Sequence, residues 1–148
     1  MDLLLWRHAD AADGESDAAR PLTRRGESQA RAMAQWLKPR LPAGLRILVS
    51  PARRAQQTAA ALTEDYETRD AIAPGASAAA LIAAAGWPDS ERPVMLVGHQ
   101  PTLGEVAAEL VGARTAGWRV AKGAVWWLRR RPRGDTVLLL AIEPAMLQ

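Results

Sequence analysis

Apolar residues along this chain arrive in short bursts, and each burst stops at a polar or basic boundary. Leu3 to Trp6 runs into Arg7-His8, Leu45 to Val49 into Ser50-Pro51, and residues 93–97 into Gly98-His99-Gln100. Short apolar runs bounded by charge or turn-forming residues read as strands covered on both faces. Between them the period changes. Ala30, Met33, Ala34 and Leu37 recur at i, i+3, i+4 and i+7, which predicts a helix capped by Thr23 and stopped by Pro39, near Lys38. Gly26 weakens its first turn. Ser50 followed by Pro51 predicts a second helix start, with Ala55, Ala59 and Leu62 on one face.

Farther along, Tyr66-Glu67-Thr68 reads as a weak third strand and Pro74-Gly75 as a turn. Ser77 caps an alanine-rich helix holding Leu81, Ile82 and Ala85 and closed by Gly86. Another helix has Pro101 in its first turn, an inner face of Leu103, Val106, Ala107 and Leu110, and Gly112 at its end. Ala124 to Leu128 and Thr136 to Ile142 read as a hairpin joined by residues 129–134. Strand alternation sends the adjacent Trp126 and Trp127 to opposite faces. The succession β-α-β-α-β-α-β-α-β-β predicts an α/β fold. It is a single domain over residues 1–148, a mostly parallel sheet with helices on both faces and a C-terminal β-hairpin.

The 148 residues are 49% hydrophobic, enough to bury a core. No apolar run approaches the ~20 residues of a membrane span, and no membrane partner is expected. The start, with acidic Asp2 and a short apolar run, lacks the features of a signal peptide, so a cytoplasmic location is expected. The absence of cysteine rules out disulfides and thiolate metal ligands. The formal net charge is +3, carried almost wholly by arginine, since Lys38 and Lys122 are the only lysines. The densest cluster, Arg129-Arg130-Arg131-Pro132-Arg133, reads as a solvated hairpin loop or, alternatively, as a patch for an anionic partner. No recognition-helix or RNA-binding pattern accompanies it, so no nucleic-acid partner is expected.

In open α/β sheets, sites gather beyond the C-terminal ends of the strands. Arg7 and His8, Arg53 and Arg54, and His99 all fall at such ends, and His8 and His99 are the only histidines. Arginine forks suit phosphate oxygens, and helices beginning after Ser50 and Gln100 would add backbone N–H groups. A neutral imidazole can attack phosphorus and hold the phosphoryl group covalently. Neighbouring arginines favour the neutral form. Asp10, Asp13 and Glu105 are the carboxylates nearest the histidines in sequence, and their spacing matches no zinc pattern. Neither a metal nor another cofactor is expected.

Leu5-Trp6-Arg7-His8-Ala9-Asp10 resembles the Arg-His-Gly signature of the histidine phosphatase (phosphoglycerate-mutase-like) superfamily. Leu22-Thr23-x-x-Gly26, the stretch from Val49-Ser50-Pro51 through Arg53-Arg54-Ala55 to Thr58-Ala59, and Val97-Gly98-His99-Gln100-Pro101 are similar to its later blocks, in the same order. With Arg20-Pro21-Leu22-Thr23, the chain looks most like the compact bacterial phosphohistidine phosphatases of that superfamily. The resemblance implies that His8 is the nucleophile and that Arg7, Arg54 and His99 cradle the phosphate. The Gln100 backbone and Arg20 are further candidates. It selects Arg54 over Arg53 by alignment alone.

Two departures stand out. Ala9 replaces the usual glycine, a problem wherever positive φ is needed. Residues 72–77, where many relatives carry a general acid, hold no carboxylate, and Asp70 lies before the turn. A missing acid favours a labile P–N bond over an alkyl ester, which would lose ~10²–10⁴ in rate. The expected activity is removal of phosphoryl groups from phosphohistidine in a partner protein, such as a phosphotransfer or phosphorelay component. A phosphatase of a small activated phosphate and a non-catalytic phosphate-binding module are the alternatives.

Overall fold

The computed structural model describes residues 1–147. The first apolar burst becomes β1 (Asp2–Arg7), whose residues 2–6 are all buried. It lies inside a six-stranded sheet of order β3-β2-β4-β1-β5-β6, where β2 is Arg46–Val49, β3 Glu67–Thr68, β4 Val94–Gly98, β5 Val125–Arg130 and β6 Thr136–Ile142. β1, β2, β3 and β4 run parallel, and β5 and β6 are antiparallel additions. The four helices among the described residues are α1 (Arg24–Leu37), α2 (Arg53–Ala60), α3 (Ala78–Ala85) and α4 (Thr102–Leu110). None is long and apolar enough to cross a membrane.

Strand alternation splits the core in two. Leu4 and Trp6 pack with Met33 and Leu37 of α1 and Ala55 and Ala59 of α2. Leu3 and Leu5 pack with Leu81 and Ala85 of α3 and Leu103 and Val106 of α4. Helices therefore cover both faces, as the sequence pattern predicts. The adjacent tryptophans divide the same way: Trp127 joins the first cluster, and Trp126 lies against the second.

Two local expectations are corrected. Ser50-Pro51 does not begin a helix: α2 starts at Arg53 behind Ala52, which makes no side-chain cap. The Ser50 hydroxyl is committed elsewhere, accepting from the Ala52 N–H at 3.2 Å and meeting His99 at 2.7 Å. Nor is Gly26 merely a weak point of α1. A Cβ there would stand 2.0 Å from the Asp10 carbonyl oxygen, so only glycine lets the helix sit against that loop. Thr23 caps the helix through the Gly26 N–H at 2.9 Å and donates to the Asp10 carboxylate at 2.8 Å.

β5 runs on through Arg129 and Arg130, so the expected loop over 129–134 is corrected to residues 131–135, and two carboxylates meet three of the four clustered arginines. Arg129 pairs with Asp2, and Arg131 and Arg133 both pair with Asp135.

Gly26→Ala forces α1 away from Asp10. Overpacking of this kind costs about 1–3 kcal/mol, and urea unfolding of the variant should show a correspondingly lower midpoint.

Candidate active site

The parallel ladder of β1 and β4 pairs Arg7 with Gly98, so the next residues, His8 and His99, emerge side by side. Their ring centroids are 5.2 Å apart. The His8 N–H donates to the Gly98 carbonyl at 3.1 Å, and the His8 carbonyl accepts from Gly123 at 3.1 Å, which locks the backbone between β4 and the segment before β5. The His8 ring is 2.8 Å from the Ala9 carbonyl through Nδ1. A carbonyl can only accept, so Nδ1 carries the proton and Nε2 of the neutral ring keeps its lone pair. Burial, with the charges of Arg54, Arg7 and Arg20, pushes the His8 pKa down from 6.5 to about 4.

His99 is also buried, and its Nε2 meets the Ser50 hydroxyl at 2.7 Å. Burial, then His8 and Arg54, lowers its pKa to about 3. Ala9 follows His8 without positive φ, so alanine is unstrained there. Its N–H donates to the Thr58 hydroxyl at 3.1 Å, which in turn donates to the Arg54 carbonyl at 2.7 Å. Thr58 thus ties the histidine loop to α2.

Burial separates the two arginines of α2: Arg54 is 4% exposed, whereas Arg53 faces solvent. Arg54 donates to the Asp17 carbonyl at 2.7 Å and to its carboxylate at 3.1 Å. Arg7 donates to the Val120 carbonyl at 2.9 Å. Among the described residues, the buried side-chain nitrogens without a partner are Arg7 Nε, Arg54 Nε and His99 Nδ1. Unpaired buried donors are costly and call for an explanation. All three belong to residues that the sequence singles out.

Arg20 stands on the rim, half-buried, donating to the Ala12 carbonyl at 3.0 Å and to Asp17 at 3.4 Å. The Gln100 side chain is used structurally: it accepts from Gly104 at 2.7 Å and donates to the Trp118 carbonyl at 2.9 Å. Asp17, Thr58 and the Ser50–His99 contact escape sequence reasoning. The loop of residues 9–22 carries no periodicity, and Ser50 reads as a cap. Among the described residues no three His, Asp or Glu side chains gather as a metal site.

The family model of the histidine phosphatase superfamily (branch 1) matches residues 3–74. The phosphohistidine phosphatase SixA of Escherichia coli is 35% identical over 126 residues, covering 78% of this chain and 77% of its own.

The chain belongs to the histidine phosphatase superfamily. A SixA homolog of Haemophilus influenzae is 35% identical over 130 residues, covering 77% of this chain and 79% of its own. A solved structure of the protein histidine phosphatase SixA, complexed with tungstate, superposes with a TM-score of 0.82 at 28% identity over the whole of both chains. Within this superfamily frame the chain is a phosphatase on an α/β fold of the SixA type.

Both histidines bind a proton more readily in the unfolded chain than in the fold. From pH 6.5 down to about 4 the unfolded state carries more protons, so stability is complete above 6.5 and falls as the pH drops through that window. Urea midpoints should decline from pH 7 to pH 4.5, and His99→Gln should flatten the decline.

Proposed function

We propose that the protein is a phosphohistidine phosphatase acting on a phosphorylated histidine of a partner protein, through a phosphohistidine at His8. The observation that carries this reading is the set of unpartnered buried donors on Arg7, Arg54 and His99 around a neutral His8. A tetrahedral phosphoryl group offers the oxygens those donors lack. SixA bound to tungstate, a tetrahedral oxyanion, supports the same chemistry on this fold.

His8 Nε2 attacks phosphorus and forms a new P–N bond while the substrate P–N bond breaks. The departing imidazole nitrogen takes its proton from solvent. Negative charge on the equatorial oxygens is met by the fixed guanidinium groups, at no reorganisation cost. The Ser50 hydroxyl meets His99 Nε2 at 2.7 Å; in the tautomer where the hydroxyl donates, the proton of neutral His99 sits on Nδ1 and serves a phosphoryl oxygen. Water then attacks the phosphorus of phospho-His8, releasing inorganic phosphate and restoring the imidazole. Every group in this scheme belongs to the chain or the solvent, and no metal is required.

Substrate class follows from the missing acid. The carboxylate whose charge reaches His99 is Asp17, and its hydrogen bond and ion pair with Arg54 hold it ionised, below the usual carboxylate range. It is poorly suited to protonate an alkoxide, whereas a P–N bond needs no such donor.

His8→Ala should abolish hydrolysis of phosphohistidine and phosphoramidate. Wild type quenched in alkaline denaturant, where a phosphoramidate survives, should carry label on His8. Retained activity in His8→Ala, or phosphate binding without turnover in wild type, refutes the reading. Arg54→Ala should lower kcat by about 10²–10³, as for loss of a transition-state donor. Arg53→Ala should stay within about twofold. Steady-state kinetics on phosphoramidate compare the two.

A further inference from the structure

Beside the phosphate site the surface is not flat. A groove of about 330 Å³ opens off Arg7 and is walled by Arg25, Arg119, Lys122 and Glu143. It adjoins a second groove of about 460 Å³, which shares Arg119, Ala121 and Glu143 and continues to Trp126 and Met146. The two make one trough, with basic residues at the end nearest His8 and Trp126, Ile142 and Met146 at the other.

The charges in the trough are unequally satisfied. Lys122 is paired with Asp10 at 2.9 Å. Arg119 is exposed, has no ion pair among the described residues, and lies near enough to Arg7 that its charge helps depress the Arg7 pKa. Arg7, Arg25 and Arg119 outnumber the one carboxylate of the trough left unpaired among the described residues, Glu143, and so favour an anion beside them. At the far end Met146 is 67% exposed, and Trp126 stacks on Trp118 at 5.5 Å, which presents a fixed aromatic edge. Methionine and tryptophan at a groove are features of protein contact surfaces.

We propose that this trough docks the phosphohistidine-bearing protein, through a segment that sets a carboxylate on Arg119 and an apolar side chain on Trp126 and Met146. The inference rests on the substrate reading above. Its occupant is a protein segment rather than a small phosphate because a phosphoryl group held by Arg7, Arg54 and His99 fills neither groove. The trough is also continuous with the site through Arg7. An acidic group at Arg119 would orient the partner, and apolar contact at Met146 would hold it, while the chemistry stays with His8.

The test compares two substrates, phosphoramidate and a small protein domain phosphorylated on a surface histidine, with wild type, Arg119→Glu and Met146→Asp. Each variant is checked by thermal unfolding. Each should lower kcat/KM for the domain at least about tenfold relative to kcat/KM for phosphoramidate, mainly through KM. In wild type the KM for the domain should rise with salt, and less so in Arg119→Glu. A domain dephosphorylated equally well by wild type and both variants, or an equal fall on both substrates, overturns the docking surface alone. A wild type that hydrolyses phosphoramidate but leaves the domain phosphorylated overturns the substrate reading and the surface with it.

Discussion

The pairing of Arg7 with Gly98 between β1 and β4 decides where everything else at the site must go. Parallel strands end in step, so a register fixed by buried leucines and valines delivers His8 and His99 to one edge at neighbouring positions. β2 pairs with β4 on the other side and brings Ser50 level with them through its N–H bond to Val97. A slip of one residue in β1 would turn Leu3 and Leu5 to the face of α1 and α2 and take His8 away from His99. The hydrophobic core and the chemistry are therefore held by the same set of hydrogen bonds.

That arrangement also sets the electrostatics. Two imidazoles are buried among arginines, and a protonated ring there would meet mainly like charge, against the single carboxylate of Asp17, in a poorly solvating interior. Both rings stay neutral, so each keeps one nitrogen with a free lone pair and one with a proton. Their partners differ: the Ala9 carbonyl fixes the His8 proton on Nδ1, whereas the Ser50 hydroxyl can meet either tautomer of His99. The arginines have partners on one side of each fork and unpaired Nε groups on the other. They are thus held in place before any substrate arrives.

Much of this was legible in the chain because strands buried on both faces write themselves as apolar runs, and the residue after each run is fixed at a sheet edge. His8, His99 and the α1 face of Ala30, Met33, Ala34 and Leu37 could be read that way. The start of α2 could not, because a serine before proline caps helices in general, and only the fold shows its hydroxyl drawn to His99. Arg53 and Arg54 are equivalent as letters. They differ because α2 begins at Arg53, so the second arginine points into the sheet edge and the first into solvent. The need for Gly26 was hidden for the same reason: the carbonyl it accommodates belongs to Asp10, in a loop without any repeating pattern.

β1 pairs with residues 94–98 and 125–130, far along the chain from its own position. A ribosome delivers His8 long before either partner strand, and before Val120 and Gly123, whose carbonyl and N–H hold Arg7 and the His8 backbone. Until those strands emerge, His8 sits on an unpaired, strongly apolar segment. The pocket can close only once β4 and β5 have entered the sheet on either side of it. A nascent chain halted before β5 would carry the histidine phosphatase signature and still lack the geometry that gives it meaning.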